Sequence, residues 1–206
     1  MKLIVGITGA SGSLYGIRLL EELVVRGTEI HLILTSNGED VLRHETGLSR
    51  RSLMDRLETL AERRGGQSPG TATGGMIFLH ENGDLFSPPA SGSFLHDGMI
   101  IVPCSMASLA GIASGSLHSL LGRAADVTLK ERRRLIVVPR ETPMSRIHLK
   151  AMLTLDEAGG MILPASPAFY NRPGTVDDLV DSVVSRILNA LGIENSLFTP
   201  WGDTHE

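Results

Sequence analysis

One cysteine, Cys104, stands among 206 residues. That excludes an internal disulfide and points to a reducing, cytoplasmic setting. No apolar run approaches the ~20 residues that cross a bilayer. The formal net charge is −4, so no global positive field gathers nucleic acid. Aromatic residues make up only 4% of the chain. Trp201, Tyr15 and Tyr170 stand out against that scarcity, and Tyr15 reads as ordinary packing. The seven histidines show no metal-ligand spacing, so no metal site is expected. Lys2 is followed almost at once by a glycine loop, which is not the form of a signal peptide. What the chain does have is 42% hydrophobic residues and enough length to bury a sizeable core. One domain over residues 1–206 is expected.

The apolar runs alternate with helical patterns. Strands are predicted at Leu3–Thr8, Glu29–Thr35, Met99–Val102, Leu135–Val138 and Met161–Leu163. Helices are predicted from Ile17 to a stop at Gly27, at Asp40–Thr46 and Arg51–Arg63, near Ser105–Ala113, Ser119–Arg132 and Ser145–Glu157, and at Val176–Leu191. Gly65–Gly75 reads as a loop. Met76–Phe86 carries Asn-Gly between apolar segments and predicts a hairpin, the alternative being one strand and a loose turn. The alternation implies an α/β chain whose parallel sheet is covered on both faces. Ligands of such sheets bind beyond the carboxyl ends of the strands. Those ends read TGASGS, TSNG, PCSMAS, PRETP and PASPAFY.

Gly9, Gly12 and Gly16 open a helix after the first strand, where backbone N–H groups and the helix dipole favour an anion. The spacing is not that of a dinucleotide fingerprint. The second strand ends in Thr35 and Ser36, not in the acid that an adenosine ribose needs. Hydroxyls there suit a phosphate or a ribityl chain. Ser105 and Ser108 repeat the theme at another strand-to-helix turn. Cys104 reads as a small packed hydrophobe rather than a nucleophile. Asp177–Asp181 matches the Asp-Asp-x-x-Asp pattern that holds magnesium and diphosphate, but it follows Thr175 and reads as a capped first turn. Arg123 and Lys130 share one helix face with Asp126 between them. Lys130, Arg140, Arg186 and Tyr170 could converge on an anion, with arginine forks suited to phosphate.

These pieces occur in an order that resembles a known family. The segments are Gly9–Leu20, His44–Thr46, Pro88–Phe94, Pro103–Gly115, Arg123–Leu135, Pro139–Pro143, Pro167–Pro173 and Trp201–Gly202. Together they resemble the UbiX flavin prenyltransferases, formerly described as phenylacrylic acid decarboxylases. The resemblance spans nearly the whole chain, and RAADVTLKERR followed by RETP is its most specific part. It implies a Rossmann-like, three-layer, doubly wound flavoprotein. Such an enzyme joins the dimethylallyl group of dimethylallyl monophosphate to N5 and C6 of reduced FMN, without a metal. The product serves UbiD-type decarboxylases.

By the same resemblance, Gly9, Ala10, Ser11, Ser36, Ser105, Met106, Ala107, Ser108 and Arg140 would bind FMN. Ser91, Arg123, Lys130, Arg140, Tyr170 and Arg186 would hold the prenyl phosphate or order the pocket around it. Glu141 would protonate the departing phosphate. Glu45 and Ser11 would assist proton transfer during ring closure, with Lys130 counted beside them as catalytic, and Trp201 would help close the pocket. The family forms homo-oligomers, often dodecamers, with sites at subunit contacts. Leu85 and Phe86 stand where some members carry tryptophan, so the aromatic wall of the pocket is expected to differ. Two other readings remain open at this point: an FMN-dependent decarboxylase of the peptidyl-cysteine type, whose Pro-x-Met-Asn-x-x-Met-Trp motif is missing, and a non-catalytic flavin carrier.

Overall fold

The computed structural model describes residues 1–65 and 76–199. The predicted loop at Gly65–Gly75 lies almost wholly outside them, and Trp201 and Gly202 lie outside them too. Six parallel strands form one sheet in the order β3-β2-β1-β4-β5-β6. They are β1 (Lys2–Ile7), β2 (Glu29–Leu34), β3 (Ile77–Glu81), β4 (Gly98–Cys104), β5 (Leu135–Pro139) and β6 (Met161–Ile162). Side chains alternate across a strand, so β1 feeds two cores. Leu3, Val5 and Ile7 enter one core, and Ile4 enters the other.

The first core is covered by α1 (Ser13–Val25), α3 (Arg50–Gly65) and α7 (Val176–Leu191). The second is covered by α4 (Met106–Ala113), α5 (Leu120–Lys130) and α6 (Arg146–Glu157). The predicted stripe of α7 is core: Val180, Val183, Val184, Ile187, Leu188 and Leu191 are buried against the sheet. Each such side chain stabilises the fold by roughly 1.5–3 kcal/mol as an upper bound. Val176 stays exposed, because the first turn runs past the sheet.

Polar residues before the helices do the capping. Ser105, Ser119, Ser145 and Thr175 each accept a backbone N–H of the turn that follows. Asp178 accepts from the Gly174 and Thr175 amides, and Asp181 pairs with Arg18 at 2.6 Å. The Asp177–Asp181 acids are therefore a helix start, as read from the sequence, and Asp181 is in addition an interhelical tie that the sequence did not show.

Two expectations change. Residues 76–86 form no hairpin: β3 is one strand, parallel to β2, with Ile30 opposite Ile77 and Leu34 opposite Glu81. Its Asn-Gly turn serves a distant partner, since the Asn82 carbonyl and side-chain oxygens accept the Leu120 and Leu121 amides at the start of α5. The second helix, α2 (Ser36–Thr46), begins four residues earlier than Asp40. Thr35 caps it by accepting from the Gly38 amide at 3.1 Å, and the short Gly38 backbone lets that turn sit against Ile7.

Gly16 lets α1 lie directly on β4. A β-carbon there would stand 2.7 Å from the Val102 carbonyl oxygen and 3.1 Å from Ile7 Cδ1. Gly16→Ala should therefore destabilise the protein by ~1–3 kcal/mol, overriding the ~1 kcal/mol that alanine gains within a helix. Urea unfolding measures this, and a stabilised variant would contradict the close approach.

Candidate functional site

The sheet order reverses between β1 and β4, and the loops after these strands diverge there. Thr8 ties them together. Its hydroxyl donates to the Pro103 carbonyl at 2.9 Å and accepts the Ser105 amide at 2.7 Å. Ser105 begins α4, accepting the Ser108 amide while donating its own hydroxyl to Ser108 Oγ at 3.0 Å. Ala107 and Ser108 reach the surface of this turn, whereas the Met106 side chain points into the core. Only the Met106 backbone can face a ligand.

On the other side of the divide, Gly9 and Ala10 lead to Ser11. A β-carbon on Gly9 would stand 2.6 Å from the Asn37 β-carbon, so this glycine allows the start of α2, with Ser36, to close against the loop. Arg140 follows β5 and reaches back across the edge, donating from Nε to the Ser11 carbonyl at 3.0 Å. Beside it, Glu141 accepts the Thr142 amide at 3.0 Å. An open groove of about 730 Å³ results, lined by Gly9, Ser11, Gly12, Leu14, Val41, His44, Glu45 and Arg140. That volume is the size of a cofactor site.

Glu45, at the far end of α2, occupies the place that the glycine loop offers an anion. Its carboxylate accepts the Gly12 amide at 3.1 Å and the Ser13 amide at 2.8 Å. Burial pushes its carboxyl up, but hydrogen bonds from the Ser11 hydroxyl and from the Ser13 and Gly12 amides outweigh burial and hold it below its usual value. Glu45 thus stands as a carboxylate, a proton acceptor at neutral pH. Cys104 is fully buried, and burial raises its thiol far above the usual range, so it is the packed hydrophobe expected of it.

The cations divide into two groups. Arg123 donates to the Ala90 carbonyl at 3.1 Å and pairs with Asp126 at 2.6 Å. Lys130 pairs with Glu131 and lies against Gly92. Ser91 follows the 3-10 turn Pro88–Ala90 in the same neighbourhood. Lys130 ends α5, just before β5 begins, whereas Arg140 follows the end of β5. The five residues of β5, at ~3.3 Å each, set Lys130 and Arg140 roughly 16 Å apart or more. Tyr170 follows β6, with its ring edge-on to Phe198 at 5.2 Å. Arg186 is exposed on α7, which packs on the other face of the sheet from α5, and it makes no hydrogen bond or ion pair among the described residues. The FMN group foreseen from the sequence is thus brought together along one edge. Lys130, on the opposite face and at the other end of β5, makes no contact with Tyr170 or Arg186 among the described residues, whereas Ala168, two residues before Tyr170, bonds Ser182 on the helix that carries Arg186. Sequence reasoning missed Thr8, whose only signal was a hydroxyl at the last position of an apolar run, and Glu131, the partner of Lys130.

Residues 1–188 match the family described as Flavoprotein. The chain is 47% identical over 205 residues to the flavin prenyltransferase UbiX of Halalkalibacterium halodurans, spanning 98% of this chain and 94% of that one. It is 42% identical over 204 residues to flavin prenyltransferase UbiX of Pseudomonas aeruginosa, spanning 99% and 95%. Among solved structures it is similar to AnUbiX (PadA1) in complex with FMN and dimethylallyl pyrophosphate, with TM-score 0.86, 38% identity and coverage of 98% and 97%. A dodecameric FMN-dependent UbiX-like decarboxylase from Escherichia coli O157:H7 gives TM-score 0.83 at 41% identity, covering 98% and 99%. Peptidyl-cysteine decarboxylase EpiD shares the fold at TM-score 0.57 and 14% identity.

Glu45→Ala should cost ~1 kcal/mol at neutral pH, because two amides at the start of α1 lose their acceptor. A lowered carboxyl stabilises the fold above its unfolded value and ceases to as pH falls. The gap between parent and variant should therefore close below about pH 4. Unfolding curves across that range measure it, and a gap that widens in acid would contradict the capping role.

Proposed function

The chain belongs to the Flavoprotein family and, with its 42–47% identical relatives, to the flavin prenyltransferases, and from that premise we propose the details of its reaction. It is an enzyme that prenylates FMN. Its donor is dimethylallyl monophosphate, and the new bonds form at N5 and C6 of the reduced flavin. The observation that carries this reading is the groove where Arg140 crosses to Ser11 beside the Glu45 carboxylate. Its serine hydroxyls, backbone amides and single arginine suit a flavin with one phosphate. Bound there, reduced FMN supplies the electron-rich carbon and nitrogen that accept the prenyl group.

The residues divide the work. Gly9, Ala10, Ser11, Ser36, Ser105, Met106, Ala107, Ser108 and Arg140 bind FMN. Ser91, Arg123 and Lys130 of one copy meet Arg140, Tyr170 and Arg186 contributed by neighbouring copies, around the donor phosphate. The assembly is a homo-oligomer, a dodecamer like the E. coli protein. Loss of an allyl phosphate leaves negative charge on oxygen and positive charge on carbon, so fixed cations at the phosphate stabilise the transition state. Holding both reactants in register offsets roughly 7–11 kcal/mol of the barrier. Glu141 gives the departing phosphate a proton. At ring closure the double bond of the attached prenyl group takes up a proton and C6 gives one up; Glu45, kept ionised by its amides, assists that transfer, with Ser11 beside it. Asp178 and Asp181 are engaged by the cap and by Arg18, which favours a monophosphate gripped by cations over a diphosphate bridged through acids. The product passes to a UbiD-type decarboxylase in the cytoplasm.

The test is an anaerobic incubation of the protein with reduced FMN and dimethylallyl phosphate, followed by mass and absorption spectra of the flavin. A flavin heavier by one prenyl unit is expected, with the pyrophosphate ester a poorer donor. Unchanged flavin would favour a decarboxylase or a carrier. Lys130→Ala and Arg186→Ala should each lower prenyl transfer by about 100-fold or more while FMN still binds. Loss of flavin from a folded variant would contradict the assignment.

A further inference from the structure

Three histidines gather away from the groove: His31 on β2, His80 on β3 and His96 in the segment before β4. Side chains of Glu29 and His31 on β2, and of Phe78 and His80 on β3, share one face of the sheet. His31 is buried there. Its Nε2 lies 3.0 Å from Glu29 Oε1 and its Nδ1 lies 2.8 Å from His80 Nε2. The cover is the segment that carries Ser91. Phe94 sets its ring edge-on to His31, with centroids 4.6 Å apart, and stacks near His96.

The surrounding charges are few. Lys2 pairs with Glu29 at 2.9 Å and holds its ammonium 4.9 Å from the Phe94 centroid, while the Lys2 amide donates to Asp97. Arg133 donates to the Gly92 and Phe94 carbonyls and stands near His96. His96 uses Nδ1 on the Gly98 carbonyl and has no partner for its buried Nε2 among the described residues. Asp84 faces His80 from the following turn. Burial holds His31 below the usual histidine value against the pull of Glu29, and burial and His31 do the same to His80 against Asp84.

The hydrogen-bond roles then follow from counting protons. The Glu29 carboxylate only accepts, so His31 Nε2 carries a hydrogen. In the neutral pair, His31 Nδ1 is bare and His80 Nε2–H donates to it. One added proton enters at His80 Nδ1, and the single hydrogen between the rings stays on His80 Nε2 or passes to His31 Nδ1, so the bond survives. A second added proton places N–H on both nitrogens, face to face. The bond is then lost and two cations adjoin Lys2, with Glu29 beside His31 and Asp84 beside His80 in partial compensation.

We propose that the His31–His80 pair is a two-proton latch on the Ser91–His96 segment: it stays shut with none or one proton added and opens with the second. Phe94 loses its seat when the His31 ring moves, and the segment loosens from the sheet. Taken with the reading of Ser91 as a donor-binding residue, on which this last step rests, the latch sets the acid limit of prenyl-phosphate binding.

The test is the pH titration of the ring signals of His31 and His80 by NMR, together with amide exchange in the 91–96 segment, expressed as protection factors. Two separated macroscopic steps are expected. Protection of the segment should fall at least tenfold through the lower step, below about pH 6, while amides of β1 and β4 keep theirs. His80→Gln supplies an amide that can donate or accept without titrating. It should remove the lower step and leave the segment protected. A segment indifferent to pH in the parent, or opening equally in His80→Gln, would overturn the latch. The parent titration stands without any variant. Neither readout uses flavin or donor, so failure here leaves prenyl transfer untouched, and failure of prenyl transfer leaves the latch intact.

Discussion

The Thr8 hydroxyl is the hinge pin of the site. It is 1% exposed, wedged where β1 and β4 hand the chain to opposite faces of the sheet. One oxygen satisfies the Ser105 amide and donates to the Pro103 carbonyl. Buried amides left unpaired cost ~1–3 kcal/mol each, so the two strand ends have little freedom to part. Everything along the edge is referenced to that spacing. The Gly9–Gly12 loop leaves from one side, α4 from the other, and Arg140 spans the gap from β5.

Two of the four cations proposed for phosphate are already engaged with acids. Arg123 holds Asp126 and Lys130 holds Glu131, all on the surface. Exposed ion pairs of this kind are screened by water and contribute little, far less than a charge-assisted grip on a phosphate inside a closed interface. The acids therefore shield the cations at little energetic cost to binding. Arg186 has no such companion among the described residues and presents its charge outright.

Local physics made much of the fold legible. Apolar runs bounded by glycine became buried strands, and Ser105, Ser119, Ser145 and Thr175 marked helix starts because each hydroxyl stands in for a missing backbone acceptor. What failed was non-local. Asn82-Gly83 has the chemistry of a hairpin turn, yet its oxygens are taken by α5, which no window around residue 82 reveals. Glu45 settling on the start of α1 was hidden for the same reason, with donor and acceptor 32 positions apart. The motifs supplied the names of the site residues but not their distribution. That Lys130 and Arg140 sit at opposite ends of β5 was already implicit in the predicted order of helix, strand and arginine, but the motif alone did not draw it out. Phe86, fully exposed, shows a surface that the sequence registered merely as a departure from tryptophan.

Asn82 carries one more implication. Outermost strands are where sheets ordinarily begin to fray, because only one flank is bonded. Here the tip of β3 is stitched to the first turn of α5, a helix bedded on β4 and β5 well inside the sheet. Peeling this margin away would uncap an interior helix, so the border of the sheet inherits the durability of its middle.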